Sequence, residues 1–276
     1  MGATFREHLR ASWTASGSML CVGLDPHPAR LPAAVGHGPD AVFAFCRDIV
    51  DATADLVCAF KPQIAHFAAQ RAEPELERLC AHIRDTLPGV TLILDAKRGD
   101  IGSTAEHYAS EAFDRYGAHA VTVNPYLGTD AVAPFLTHPA GAAIILCRTS
   151  NPGGADLQSL VVDGEPLYVH VARRVAKEWS ALGDCGLVVG ATYPDELATV
   201  RATVGELPIL VPGVGAQGGD IAATVAAGRD TSGFGMIVNN SRGINYASSG
   251  ADFASAARRA AIVMRDELAL AAGAAR

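Results

Sequence analysis

The sequence lacks the features that mark membrane, secreted and zinc-dependent proteins. No apolar run reaches the roughly 20 residues that a transmembrane helix needs, and residues 1–10 carry charges where a signal peptide would be apolar. The nine histidines show no HxH or HExxH spacing, which disfavours a zinc site, and no GxSxG motif marks a serine nucleophile. We therefore expect a cytoplasmic protein with no membrane partner and no bound metal.

Paired cysteines and an excess of positive charge are also missing. The six cysteines form no CxxC pair, and Cys21, Cys58 and Cys147 lie in apolar strand-like runs. Buried, reduced thiols in a reducing compartment are the simplest interpretation. With 22 Lys and Arg against 29 Asp and Glu, the net charge of −7 disfavours a nucleic-acid-binding surface.

What the chain does have is a regular alternation of short apolar runs and amphipathic helical patterns, with no break in composition that would divide its 276 residues. This alternation predicts a single (β/α)₈ TIM barrel over residues 1–276, with all strand ends at one rim. A doubly wound open sheet is the alternative. The barrel is favoured because every run ends in polar or glycine residues, as expected if all strand ends meet at one catalytic mouth. The eight runs cover residues 19–24, 56–60, 91–94, 119–123, 143–147, 187–189, 208–211 and 234–238.

The third run ends in three charges with the spacing Asp-x-Lys-x-x-Asp. Side chains two apart share a face of a strand, so Asp95 and Lys97 should point the same way, with Asp100 in the following turn. Opposite charges at the end of a buried strand are costly unless they are paired or used. A structural ion pair is the simpler alternative, and the third charge, between Gly99 and Gly102, favours a functional site.

Glycines after the seventh run suggest a phosphate site. Residues 213–218 match GxGxxG, which alone is a weak indication of a dinucleotide-binding fold. In a barrel, the turns after strands seven and eight commonly bind phosphate through backbone amides. Arg242, in the turn after the eighth run, would supply a fixed cation. The alternative is that these glycines serve only tight turns.

Further polar side chains end other runs. Asp25 follows the first run, Lys61 the second and Ser150 the fifth. If the barrel is correct, these side chains gather at one rim with the charges of the third run. Asp25 could instead only form the turn before Pro26, and Ser150 could only cap a loop. A long polar segment, residues 151–165, separates the fifth run from the next helix.

The motifs together resemble the orotidine 5′-phosphate decarboxylase family. The resemblance extends over nearly the whole chain, from Asp25 through Lys61 and Pro212 to Arg242, and the DAKRGDIG stretch at residues 95–102 is similar to one bacterial subgroup. It implies decarboxylation of orotidine 5′-phosphate to UMP in pyrimidine biosynthesis, without cofactor or metal. It also implies a homodimer with active sites at the interface.

The resemblance assigns roles to individual residues. Lys97 would stabilise a carbanion at C6 of the substrate and then protonate it, beside Asp95. Lys61, Asp95 and Lys97 would come from one subunit, and Asp100, Ile101 and Thr104 from the other. Asp25 and Lys61 would hold ribose hydroxyls together with Thr104 and Asp100 of the partner, and Ser150 would hydrogen-bond the pyrimidine. Pro212 would line the substrate site, and Gln217 and Arg242 would hold the phosphate.

Three other interpretations stay open, the first because Asp-x-Lys-x-x-Asp is shared with related sugar-phosphate decarboxylases. One is a Mg²⁺-dependent sugar-phosphate decarboxylase or lyase that uses the same charges. Another is an aldolase in which Lys61 or Lys97 forms a Schiff base. The third is a non-catalytic nucleotide-binding protein, which would have no need for Asp95 beside Lys97.

Overall fold

Eight parallel strands close into a barrel in the computed structural model, which describes residues 3–214 and 220–273. In chain order the barrel strands are β1 Leu20–Leu24, β2 Ala59–Pro62, β3 Thr91–Arg98, β4 Ala120–Val123, β5 Ala143–Arg148, β8 Cys185–Val189, β9 Ile209–Pro212 and β10 Met236–Asn240. Two short strands outside the barrel, β6 Val161–Val162 and β7 Glu165–Pro166, form a separate antiparallel pair. Around the barrel their order is β1-β10-β9-β8-β5-β4-β3-β2. Most residues on both faces of the barrel strands are buried, which explains their nearly continuous apolar sequences. The predicted (β/α)₈ barrel is confirmed, and the open sheet is excluded because β1 pairs with β10.

Helices pack around the barrel and at its two ends. Their starts follow local chemistry: Thr4 and Glu7 form a capping box before the first helix, and the Asp220 carboxylate accepts from the Ala223 amide. The α-helices of the described residues are α1 Phe5–Ser16, α2 Pro39–Thr53, α3 Ile64–Ala68, α4 Glu73–Thr86, α5 Gly102–Ser110, α6 Thr129–Thr137, α7 Ala155–Gln158, α8 Leu167–Lys177, α9 Pro194–Val204, α10 Ile221–Gly228, α11 Arg242–Asn245 and α12 Phe253–Ala271. In this part of the chain none is both long and apolar enough to cross a membrane.

The amino-terminal helix α1 packs across the end of the barrel opposite to the mouth. Phe5, Leu9 and Trp13 are buried on its inner face, and the Trp13 indole donates to the Met236 carbonyl oxygen at 2.9 Å. Here His8 stacks on His119, with 4.0 Å between ring centroids. Helix α1 therefore covers this end of the barrel, opposite to the carboxyl ends of the strands.

Two regions depart from the predicted pattern. Strand β3 continues past the apolar run to Arg98, and its register with β4 shifts between Leu94 and Arg98. The predicted polar loop at 151–165 is not structureless, because it holds α7 and the antiparallel pair of β6 and β7. Neither feature has a periodic sequence pattern, so propensity alone did not show them.

Candidate active site

Three charged side chains meet at the carboxyl ends of β2 and β3. The Nζ atom of Lys61 lies 2.6 Å from Oδ2 of Asp95, and the Nζ atom of Lys97 lies 2.6 Å from Oδ1 of the same carboxylate. The side chains of Lys61 and Asp95 are only 5% and 10% exposed, whereas that of Lys97 is 47% exposed. One carboxylate therefore joins a buried ammonium to an ammonium in the open mouth.

The buried charges of this set stabilise each other. Burial opposes ionisation of the Asp95 carboxyl, but the Lys61 and Lys97 ammonium groups outweigh it and hold the pKa of Asp95 well below its usual range. Burial also disfavours the Lys61 ammonium, yet Asp95 and Asp25 raise the pKa of Lys61 above that of a free lysine. Both groups are thus ionised at neutral pH, and their charges are in place before a ligand binds.

Asp25 follows β1, and its Oδ1 atom is buried with no hydrogen-bond partner among the described residues. The chain around it is fixed by residues that follow β10. The Tyr246 hydroxyl donates to the Asp25 carbonyl oxygen and accepts from the His27 amide, both at 2.7 Å, and Asn245 donates to the Gly23 carbonyl oxygen at 2.8 Å. A buried carboxylate oxygen on a fixed backbone is suited to accept a hydrogen bond from a ligand hydroxyl.

Two neighbouring cavities open at the mouth, one of about 170 Å³ and one of about 450 Å³. Pro212 lines both cavities, so they adjoin at the end of β9. The predicted residues that line the smaller cavity are Asp25, Lys61, Asp95, Pro212 and Arg242. Those that line the larger cavity are Lys97, Ser150 and Pro212.

Arg242 begins α11, separated by one residue from the end of β10, and its side chain is exposed. Within the described ranges it makes no ion pair, so its charge is available to an anion in the smaller cavity. Gly23 makes room for this turn, because a Cβ atom there would overlap Oγ of Ser241 and lie 2.9 Å from Oδ1 of Asn239. The other predicted phosphate ligand, Gln217, lies outside the described residues.

Ser150 is held at the rim by its neighbours, since its own hydroxyl forms no hydrogen bond with any other described residue. Arg148 is buried, with Nε 2.5 Å from the Glu196 carboxylate and its guanidinium 4.3 Å from the centre of the Tyr193 ring. Gly190 lets the Ser150 backbone approach closely, because a Cβ there would lie 2.7 Å from the Ser150 Cβ. Arg148 is therefore a structural cation that fixes the segment carrying Ser150.

Three of the predicted residues do not join the charged set within one chain. Asp100 is half-buried in the turn after β3, and its Oδ1 accepts from the Ile101 amide at 2.8 Å. Ile101 is 56% exposed and Thr104 is exposed on α5. None of the three forms a hydrogen bond or an ion pair with Lys61, Asp95 or Lys97 in the described part of the chain. This placement is the one expected if they serve a neighbouring protomer.

Sequence reasoning missed one residue that contacts the charged set, and it did not predict the direction of Arg98. The Thr122 hydroxyl, inside the apolar run of β4, lies 2.9 Å from Oδ1 of Asp95. The only available signal was a hydroxyl residue in an otherwise apolar strand. Arg98, next to Lys97, faces away and forms a bidentate ion pair with Glu111, so it takes no part in the charged set.

A closed parallel barrel with opposed charges and an exposed arginine at its mouth defines a (β/α)₈ protein built to bind an anionic, phosphorylated ligand. Among residues 3–214 and 220–273, no cluster of three or more His, Cys, Asp or Glu could hold a metal ion. The model of the orotidine 5′-phosphate decarboxylase / HUMPS family matches residues 18–259, and this chain belongs to that family.

Full-length relatives agree with this assignment. The chain is 63% identical over 264 residues to orotidine 5′-phosphate decarboxylase of Azoarcus sp. strain BH72, covering 96% of this chain and 98% of the relative. It is 61% identical to the enzyme of the same name from Ralstonia pickettii strain 12J, again over 264 residues, covering 96% of this chain and 97% of the relative.

Solved structures show the same fold. Orotidine monophosphate (OMP) decarboxylase of Leishmania donovani superposes with a TM-score of 0.83 at 37% identity, covering 99% of this chain and all of that one. UMP synthase of Leishmania donovani superposes with a TM-score of 0.85 at 38% identity, covering 98% of this chain and 57% of that chain.

Proposed function

We propose that this protein decarboxylates orotidine 5′-phosphate to UMP in pyrimidine biosynthesis. The observation that carries the proposal is the Lys61–Asp95–Lys97 set at the barrel mouth, in a chain whose curated relatives are named for this reaction. Binding a nucleotide alone does not require a carboxylate between two ammonium groups. Stabilising a transient negative charge on carbon does require cations fixed in advance.

The mouth offers a partner for each part of the substrate. Arg242, with Gln217, would hold the phosphate in the smaller cavity. Asp25 and Lys61 would hold ribose hydroxyls, an assignment supported by the unpartnered buried oxygen of Asp25. Ser150 would hydrogen-bond the pyrimidine in the larger cavity, and Pro212, which lines both cavities, would pack between the two ends.

Charge placement suggests the chemistry. Loss of CO₂ breaks the bond from C6 to the carboxylate carbon and leaves the electron pair on C6, where no ring carbonyl is placed to delocalise it. The Lys97 ammonium, exposed at the mouth, would stabilise that pair and then donate its proton to C6. Asp95, 2.6 Å from Lys97, would hold the ammonium in position and lie near the departing carboxylate.

One lysine is not enough for the catalysis. Two unit charges about 4 Å apart interact by about 4 kcal/mol at an effective dielectric constant of about 20. Enzymes lower reaction barriers by roughly 8–23 kcal/mol. The remainder must come from binding energy at groups remote from C6, above all the phosphate, which orders the site around the substrate.

We also propose a homodimer in which Asp100, Ile101 and Thr104 of one protomer complete the site of the other. The exposure of Ile101 and Thr104 supports this arrangement, as do the apolar side chains exposed on the loop that follows β4, with Tyr126 at 78% and Leu127 at 49%. The whole chain, residues 1–276, would be one catalytic domain. The net charge of −7 argues against a nucleic-acid partner, and six buried free cysteines support a cytoplasmic location.

The alternative mechanisms have less support. The relatives and structures described above are named as decarboxylases of orotidine 5′-phosphate or as UMP synthase, not as Mg²⁺-dependent sugar-phosphate enzymes. A Schiff base needs a neutral amine, whereas the neighbouring carboxylates raise the pKa of Lys61. Borohydride trapping with substrate would detect such an adduct on either mouth lysine.

The direct test follows the loss of orotidine 5′-phosphate absorbance with the purified protein in the presence of EDTA. We expect full turnover by the wild type and none by Lys97→Ala. The chain has only three lysines, and Lys177, exposed at the end of α8, supplies the matched control. Lys177→Ala should retain wild-type activity, and turnover by Lys97→Ala would remove Lys97 as the proton donor.

Mixing experiments test the shared site. Lys97→Ala and Asp100→Ala should each be inactive, because each removes one half of every site. In a mixed dimer one of the two sites keeps both groups, so mixing the variants should restore part of the activity. Activity that stays absent in a verified mixed dimer would mean that each protomer uses its own Asp100.

A further inference from the structure

The backbone of Lys97 has an unusual conformation for a lysine in a strand. Its φ angle is 49°, in the left-handed region that residues with a side chain rarely adopt. Such a conformation persists only where the surroundings enforce it. The backbone of the proposed proton donor is therefore held in a conformation that lysine disfavours, and contacts with neighbouring residues must enforce that conformation.

The neighbouring strand shows where that constraint comes from. In the pairing of β3 with β4, Leu94 is opposite Val121 and Arg98 is opposite Val123. Three residues of β3, numbers 95–97, therefore lie opposite the single residue Thr122. This bulge interrupts the regular ladder and leaves backbone amides of β3 in need of another acceptor.

The Thr122 hydroxyl supplies that acceptor. Its Oγ1 atom accepts from the Ala96 amide at 3.0 Å and from the Lys97 amide at 2.9 Å. The same hydroxyl donates to Oδ1 of Asp95 at 2.9 Å. One donor and two lone pairs are all that a hydroxyl has, so each is used, and the side chain is only 1% exposed.

These contacts close a ring through the charged set. Oδ1 of Asp95 accepts both from Thr122 and from Nζ of Lys97, while the Lys97 amide donates back to Thr122. The hydroxyl thus ties the backbone of Lys97 to the carboxylate that holds its ammonium. Without it, nothing would enforce the left-handed backbone of Lys97, and the bulge would no longer fix where the Lys97 ammonium lies relative to the Asp95 carboxylate.

We propose that Thr122 is a positioning residue that fixes the bulge in β3 and thereby holds the Lys97 ammonium at the reacting end of the site. It acts through Lys97 and Asp95 rather than on the substrate. The proposal rests on the proposed role of Lys97 in protonation. Its signature is a loss of turnover without a loss of ligand affinity.

The test compares Thr122→Val with Thr122→Ser. Valine keeps the shape and removes the hydroxyl, whereas serine keeps the hydroxyl. We expect kcat of Thr122→Val to fall about 100-fold, as for a misplaced catalytic group, and Kd for UMP to stay within about threefold. Thr122→Ser should recover most of kcat. Thr91→Val, which removes a buried hydroxyl at the other end of β3, is the control and should leave kcat unchanged.

Several outcomes would overturn the proposal. A wild-type kcat in Thr122→Val would overturn it. A loss of kcat in Thr91→Val equal to that in Thr122→Val would also overturn it, because it would indicate general destabilisation. If Thr122→Val does not fold, Thr122→Ala and Thr122→Ser differ only in the hydroxyl, and equal kcat values in that pair would overturn the proposal in the same way. Full activity in Lys97→Ala would instead refute the role of Lys97, so the two failures are distinguishable.

Discussion

Lys61 and Asp95 face each other across neighbouring strands, with 2.6 Å between Nζ and Oδ2 and almost no exposure of either side chain. This pair is the buried part of the charged set, and Lys97 is its exposed extension. Such burial makes the pair sensitive to the loss of either partner, because a lone buried charge is far more costly than a satisfied pair.

Lys61→Met should therefore destabilise the fold. Removal of one partner of a buried pair costs about 3–5 kcal/mol, and we expect about 3 kcal/mol because Lys97 still neutralises Asp95. Urea unfolding gives the free energy. The double variant Lys61→Met/Asp95→Asn should recover part of the loss, since no uncompensated charge remains. A double variant that is no more stable than the single one would contradict this account.

Arg242→Ala should lower kcat/KM although Arg242 contacts no reacting atom. Charge-assisted hydrogen bonds contribute about 1.5–3 kcal/mol each, so the loss should be about 10- to 100-fold or more. Steady-state kinetics with orotidine 5′-phosphate measure it. With orotidine, which has no phosphate, variant and wild type should be equally slow.

Arg229 offers the matched control for that experiment. It is an exposed arginine at the end of α10 that donates to the Ala272 carbonyl oxygen, away from the mouth. Arg229→Ala should keep the wild-type kcat/KM. A near-wild-type value in Arg242→Ala would show that the phosphate is held by other groups.

Tyr246→Phe should weaken substrate binding through Asp25. The hydroxyl holds the Asp25 carbonyl oxygen and the His27 amide, and its loss leaves both groups unpaired. We expect KM to rise about 10-fold, the effect of about 1.4 kcal/mol. The control is Tyr116→Phe, because the buried Tyr116 hydroxyl has no hydrogen-bond partner within the described residues. Equal KM values in the two variants would argue against the role of Tyr246.

Stability should fall in mild acid because of His119 at the closed end of the barrel. Burial, with smaller contributions from His8 and Arg84, lowers the pKa of His119 to about 4. Its Nδ1 accepts from the Leu92 amide at 2.9 Å, a bond that only the neutral ring can accept. The unfolded chain, with a histidine pKa of about 6.5, therefore binds more protons than the folded one between these two values.

The sign follows from that difference. The contribution of His119 is complete above pH of about 6.5 and is lost progressively as the pH falls towards 4, by about 3 kcal/mol in total. Urea unfolding from pH 7.5 to 4.5 measures the slope. His119→Gln should flatten it, whereas substitution of the exposed His37 by Gln should leave it unchanged. An unchanged slope in His119→Gln would assign the acid sensitivity elsewhere.

Much of the fold could be predicted from the sequence because buried parallel strands need nearly continuous apolar runs. Each of the eight barrel strands overlaps its predicted run, although β2 begins three residues later, since Leu56 belongs to a short 3₁₀ helix. The placement of Lys61, Asp95 and Lys97 at one end was also predicted, because parallel strands of a barrel share a direction.

The finer geometry could not be predicted because it depends on contacts between distant residues. Period-two alternation puts Lys97 on the face of Asp95, but the observed contact arises in a bulge opposite Thr122, 25 residues further along the chain. No pattern in the neighbouring sequence predicts that the Arg98 side chain turns outward to Glu111 while that of Lys97 turns towards Asp95.

The sequence by itself thus determined the barrel and the set of charges at its mouth, since these follow from local hydrophobic pattern and motif spacing, and its motifs resemble those of one family. Only the tertiary structure decided which oxygen of Asp95 each lysine donates to, which hydroxyl stabilises the bulge in β3 and which residues fix the backbone at Asp25. The physical reason is that the apolar pattern of a strand is a local property of the chain. Hydrogen-bond partners depend instead on which distant segments folding brings within about 3 Å of each other.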